Sequence, residues 1–466
     1  MDTTPQESQV TEMISEPIPD FGAKNTQTSI SVKKIGGILL LIVLVFSIFG
    51  VGYFFFSSRN SGTVGGNSEP KQVTLTYWGT GEKTPGLTQA ITNFQNQNPG
   101  VTIQYSFQSQ KDYRERLQSA CSRDQCPDIF KFHPTWTSSF SQANLLSVVP
   151  ATQLSTSTYT STFYPSAVSD LITPRGVVGI PLSTDGLGLF INTQVLKASG
   201  RSVPTTWNDV QILAKELTVR GNNGSIERSG IALGSPENVD HFSDILTLLI
   251  YQNGGDPAKV EGNTLVSDAI RFYTQFMKED KVWDETLPNS TYAFAVEKTA
   301  MIIAPYWRVA EIKQLNPNFE FAVYPVPQLP GSPVAIANYW AEGVSASSKE
   351  QETAWKFLLY LSSKEGLEAL YPQASSTAFI EKPYSRVDMG AELLSDPYAG
   401  AYIKQAPYAK TWYMSSRTFD NGLNDQMIAA YKTAIELVLK GTSFDQVGPK
   451  LSADIQAILA KYTLSK

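Results

Sequence analysis

The sequence predicts an α/β protein of two lobes carried behind a single membrane-spanning helix, and three observations lead there. From Val73 to Phe132 the pattern alternates strand, helix, strand, helix, strand. The stretch from Lys71 to Lys466 exceeds one ordinary domain of roughly 100–200 residues. Ahead of it, the run from Ile35 to Phe56 carries no charge, and at about 1.5 Å per residue a helix of that length reaches roughly 33 Å, enough for a hydrocarbon core of about 30 Å.

Residues 1–34 are rich in Thr, Gln, Ser and Pro, a composition expected to stay disordered. Lys24, Lys33 and Lys34 precede the apolar run, and Arg59 and Lys71 follow it. This bias points the tail to the cytoplasm and the large domain outward, as a single-pass protein of the cell membrane. A cleaved signal peptide is the rival reading, with small residues at Gly50-Val51-Gly52, but both the leading region and the apolar core are longer than such signals normally have. Residues 57–70 are rich in Gly and Ser and read as a flexible linker.

Order is expected from Val73. Val73–Trp78 is a β-branched and aromatic strand; Leu87, Ile91 and Phe94 recur at helical spacing until Asn98-Pro99-Gly100 stops the helix. Val101–Phe107 alternates as a strand, a helix covers Asp112 to Ala120, and Asp128–Phe132 is a short apolar strand. That order implies a mostly parallel sheet with ligands at the carboxyl ends of its strands. Two strand-like pieces flank Ser183-Thr184-Asp185-Gly186. Helical segments then dominate (Val210–Leu217, Ile245–Tyr251, Ala269–Met277), with strands at Ala300–Ala304 and Phe319–Val326. Trp207 follows Pro204-Thr205-Thr206 and reads as the structural opening of a helix.

A net charge of −6 without a Lys/Arg cluster argues against nucleic acid as a partner. Cys121 and Cys126 are the only cysteines, and in an oxidising space they are expected to form a disulfide clamping the turn before the third strand. His133 and His241 show no ligand spacing with them, so neither a metal nor a cofactor is expected.

Several segments, in order, resemble the extracellular solute-binding proteins of ABC importers, of the sugar-binding type that takes maltodextrins and multiple sugars. They are the opening strand and helix, CPDIFKF (Cys126–Phe132), IPLSTDGLGLFINTQVLKASG (Ile180–Gly200) with VPTTWNDV (Val203–Val210), AFAVEKTAMIIAPYW (Ala293–Trp307) and WAEGVSASSKEQETAWKFLLYLSSKEG (Trp340–Gly366). Ala378, where a proline is usual, the membrane helix in place of a lipoprotein signal, and the cysteine pair depart from the pattern. The resemblance implies a type II periplasmic-binding-protein-like fold. A first lobe of residues 71–182 and 340–380 and a second of 183–339 and 381–466 would close over a ligand, with hinge strands near Pro181–Asp185 and Tyr339–Gly343 and a third crossing near Phe379–Arg386. It implies a carbohydrate as solute and permease subunits of an ABC transporter as partners.

Sugar faces stack on aromatic rings while hydroxyls take polar partners. The candidate ligand residues are therefore Trp78 at the first strand end, His133 after the third, and Asp185 in the crossover. Tyr306 and Trp307 end a second-lobe strand, at least one of them facing the cleft; Tyr339 and Trp340 form a similar pair at the return strand, one of them a ligand residue, and Trp412 resembles a C-terminal aromatic of the sugar binders. Thr135, Trp136, Arg386 and Arg417 are weaker candidates. A glycoside hydrolase would need two carboxyl groups flanking the scissile bond, and only one cleft acid is evident, so the reading is a binding protein and not an enzyme. A sensing ectodomain signalling through a partner is the other alternative.

Overall fold

The computed structural model describes residues 71–371 and 383–462, apart from 82, 263 and 332. The expected tail, membrane helix and linker and the departure at Ala378 lie outside the described residues, among which no helix is long and apolar enough to cross a membrane.

The chain begins with β1 (Val73–Gly79), α1 (Pro85–Gln97), β2 (Val101–Phe107), α2 (Tyr113–Ser122) and β3 (Ile129–Phe132), and after short helices reaches β4 (Ile180–Pro181). It continues through β5 (Gly188–Asn192), α3 (Trp207–Leu217), α4 (Phe242–Gln252), α5 (Thr264–Lys278), β6 (Met301–Ala304), α6 (Arg308–Leu315) and β7 (Phe321–Tyr324). It then returns as β8 (Ala341–Val344) and α7 (Gln351–Leu361), and ends in α8 (Leu423–Leu439) and α9 (Phe444–Lys461).

Two sheets organise these elements. The first has the order β2-β1-β3-β8-β4; its three opening strands are parallel, while β8 runs antiparallel to both neighbours. The second places β5 between β6 and β7, antiparallel to each, and every residue of β5 is buried. The mostly parallel expectation thus holds for the opening unit, and the return strand adds antiparallel pairs.

Alternation explains the packing of β1. Val73, Leu75 and Tyr77 are buried on one face, where the Tyr77 and Phe94 rings meet Phe357 of α7 at 6.2 and 5.0 Å. Asp128 accepts from the Thr76 backbone and hydroxyl on the other face, which fixes β1 against the entry to β3. Cys121 and Cys126, bonded to each other, close the turn between α2 and β3. Farther along the chain, Thr206 and Asp209 form a reciprocal capping box that starts α3, and Trp207 is buried edge-on to Phe272.

The chain passes between the sheets from Pro181 to Gly188 and back from Ile336 to Ala341. These crossings touch: the Asn338 N–H donates to the Asp185 carbonyl at 2.9 Å, and a Cβ on Gly186 would stand 2.0 Å from the Ile336 carbonyl oxygen, so only glycine allows that approach. A third segment joins them, since the Thr184 N–H donates to the Pro383 carbonyl at 2.9 Å and the Ser385 hydroxyl to the Pro181 carbonyl at 2.7 Å.

Candidate functional site

Beside these crossings a cavity of about 540 Å³ opens between the segment after β3, the stretch Ser169–Pro174, and Thr411–Tyr413 ahead of α8. Its wall mixes the Trp412 ring with the hydroxyls and amides of Thr135, Ser138, Ser141, Gln142, Ser169 and Thr173. Three buried polar atoms of lining residues make no hydrogen bond among the described residues: Thr137 Oγ1, Ser141 Oγ and Trp412 Nε1. These three lie behind the cavity surface, and the polar groups that line it are the other hydroxyls and the Gln142 amide.

Asp170 also lines the cavity, accepting from the Tyr339 hydroxyl at 2.8 Å and from the Thr411 hydroxyl. Burial pushes its carboxyl up to about 6, although both hydroxyls pull it down. Nothing in its local sequence marks Asp170; it becomes visible only when the return strand brings Tyr339 beside it.

A hydrogen-bonded chain leads from this cavity to Arg308 at the start of α6. Thr135 Oγ1 lies 2.7 Å from His133 Nδ1, and His133 Nε2 lies 3.1 Å from Asn338 Oδ1, which makes Nε2 the protonated nitrogen and Nδ1 the acceptor. Asn338 Nδ2 donates to Asp244 at 3.1 Å, and the Ser416 N–H donates to the same carboxylate at 3.2 Å. Ser416 Oγ is 2.8 Å from His241 Nδ1, and His241 Nε2 accepts from Arg308 Nε at 2.9 Å. The Arg308 guanidinium lies 4.2 Å over the Trp307 ring. Burial lowers both histidines, His133 to about 4, so each serves as a neutral link. Asn338 and Asp244, the centre of this chain, carry no motif in the sequence.

The structure sorts the expected ligand residues into three groups. Trp412 lines the cavity and Thr135 sits at its wall. Trp307 is 38% exposed at the end of β6, edge-on to His241, whereas Tyr306 is 2% exposed and packs on Tyr402; of this adjacent pair, Trp307 is the open ring. Trp340 is partly buried, edge-on to both His133 and Trp136.

The remaining candidates are engaged elsewhere in this structure. Asp185 is fully engaged, accepting from the N–H groups of Gly186 at 2.6 Å, Tyr306 at 2.8 Å and Trp307 at 3.3 Å. These bonds hold the backbone at Trp307, and burial pushes the carboxyl up to about 7. His133 is buried with both ring nitrogens occupied, so it has no hydrogen to offer a ligand. Trp78 stands on the opposite face of β1 from Leu75 and Tyr77 and lines a separate hollow with Glu115, Arg116 and Ser119 of α2, away from the lining of the first cavity. Arg386 is paired with Asp388, and Arg417, 3.2 Å from Asp240, stays half exposed beside the His241 chain.

Comparison with known proteins agrees with this architecture. The curated multiple sugar-binding protein of Streptococcus mutans serotype c is 21% identical over 330 residues, 65% of this chain and 74% of that protein. Among solved structures, the sugar-binding protein MalE from the phytopathogen Xanthomonas citri superposes with a TM-score of 0.69 at 20% identity, covering 83% of this chain and 98% of that one. A cyclo/maltodextrin-binding protein complexed with maltotetraose gives 0.67 at 15% identity, covering 86% and 100%. The family described as bacterial extracellular solute-binding protein matches residues 79–368, and the chain belongs to that family of binding proteins.

Proposed function

We propose that the protein captures a carbohydrate between its two lobes, divided as residues 71–182 with 340–380 and 183–339 with 381–466, and delivers it to the permease of an ABC importer. The observation that carries this reading is the cavity lined by an indole, several hydroxyls and the Asp170 carboxyl. A pyranose offers the matching pair of surfaces, an apolar face for the ring and hydroxyls that both donate and accept. Trp307, held at the other end of the His133–Asn338–Asp244–His241 chain, supplies an exposed ring outside the lining of that cavity. The relatives named for multiple sugars and maltodextrin support the same solute class. The apolar run Ile35–Phe56 would tether the domain to the membrane with residues 1–34 inside the cell.

A thermal-shift screen of the protein against mono- and oligosaccharides tests the solute. A ligand at 100 times its Kd should add about 2.7 kcal/mol. A panel that includes maltotetraose and produces no shift would reject the carbohydrate reading. Protease added to intact cells should remove the C-terminal domain; digestion only from the cytoplasmic side would reverse the orientation.

A further inference from the structure

The segment Met414–Gly422 departs from ordinary backbone geometry. Met414, Arg417, Phe419 and Asn421 all adopt positive φ, at 77°, 65°, 47° and 44°, a region that non-glycine residues, and bulky ones above all, rarely occupy. Such a conformation persists only where surrounding contacts hold it. On one side the contacts belong to the second lobe: the Ser416 N–H on Asp244, Arg417 on Asp240, and α8 packed on α5 with the Tyr431 hydroxyl on the Pro257 carbonyl.

On the other side the contacts cross to the first lobe. Asp420, 0% exposed, accepts from Trp136 Nε1 at 3.2 Å, and from the Gly422 N–H at 2.8 Å and Asn424 Nδ2 at 2.9 Å. Asn424 Nδ2 also donates to Thr135 Oγ1 at 2.8 Å, and Asn421 Nδ2 to Asp112 Oδ1 at 2.6 Å. Trp136 and Thr135 follow β3, and Asp112 precedes α2. One strained segment of the second lobe therefore grips two separate parts of the first, and through Thr135 it fixes a wall of the cavity.

We propose that Met414–Gly422 is an interlobe clasp and Asp420 its positioning residue, holding the lobes together around the cavity without contacting the solute itself. The inference deepens the carbohydrate reading, on which its meaning for uptake rests. Closure would then be stabilised partly by the protein's own carboxylate–indole bond. The energy stored in the left-handed residues would favour release of the clasp when that bond is lost.

The test is hydrogen–deuterium exchange on the full chain, with Asp420→Ala and, from the opposite lobe, Trp136→Phe, which removes the indole N–H and keeps a ring. Both variants should exchange about tenfold faster at 112–116, as expected for losing one hydrogen bond to a charged group, and the Trp136→Phe chain should also exchange faster at 414–424. Strand 73–79 should remain protected in both. Faster exchange confined to the mutated lobe in each variant would overturn the clasp. Should Asp420→Ala unfold the chain, visible as lost protection of 73–79, Trp136→Phe alone decides. No ligand is used, so a failed clasp leaves the carbohydrate reading standing, and a failed sugar screen leaves the clasp standing.

Discussion

Replacing Asp185 by asparagine should remove a pH dependence that burial has built into the crossover. The carboxyl titrates near 7 in the folded protein and near 3.9 in an unfolded chain. Because the folded value is raised, the folded state holds the extra proton between those limits. Stability from this group is fully present below about pH 4 and is lost as pH rises to about 7. At 1.36 kcal/mol per unit, a gap of about 3 units amounts to about 4 kcal/mol. Asparagine does not ionise, keeps the size, and can still accept from Gly186 and Tyr306. It gives up the 3.3 Å bond from the Trp307 N–H, worth about 1 kcal/mol. Ionisation of the unfolded chain has already cost the parent about 1 kcal/mol at pH 4.5, so the variant should be about as stable as the parent there and about 3 kcal/mol more stable at pH 8. Asp170, raised in the same direction, and His133, lowered, also titrate but contribute equally to both proteins. Urea unfolding followed by circular dichroism at pH 4.5, 6 and 8 gives the comparison. Parallel stability curves would refute the claim that Asp185 is a buried, backbone-capping carboxyl.

Once a sugar is found, calorimetry on Trp412→Ala and Trp307→Ala should show losses of about 2 kcal/mol each, roughly thirtyfold in Kd, while Trp78→Ala should bind within a factor of two of the parent because its ring rests on α2; the opposite ranking would relocate the site. Gly186→Ala should destabilise the protein by about 2 kcal/mol or more, since the added carbon meets the Ile336 backbone, and a thermal midpoint equal to the parent's would show that the crossings are not pressed together. Cys121 and Cys126 should stay unreactive to thiol reagents until reduced, and replacing both by serine should cost about 2 kcal/mol for so short a loop; free thiols in protein prepared without reductant would reject the bond.

The sequence by itself determined the local elements and their order. Val101–Phe107 is a strand with the expected bounds, and α3, α4 and α5 contain the helical stripes read at Val210–Leu217, Ile245–Tyr251 and Ala269–Met277. Periodicity and capping are properties of neighbours in the chain, so Trp207 could be recognised as the buried opening of a capped helix before any fold was known. Two aromatic candidates were legible for the same reason: Trp412 lines the cavity and Trp307 is an open ring after β6.

Which groups remain open to a ligand was decided only by the tertiary structure. Asp185 meets the N–H groups of Tyr306 and Trp307 across more than a hundred residues, and those bonds turn a plausible ligand carboxylate into a support for the ring beside it. His133 finds Asn338 in the return crossing and donates its one ring N–H to it. Trp78 lies on the face of β1 that α2 covers, and a strand's alternation says that two faces exist without saying which the helix will take. Burial, hydrogen-bond saturation and the side of a sheet that a crossover helix occupies arise from residues distant in sequence, and only folding brings those residues into contact.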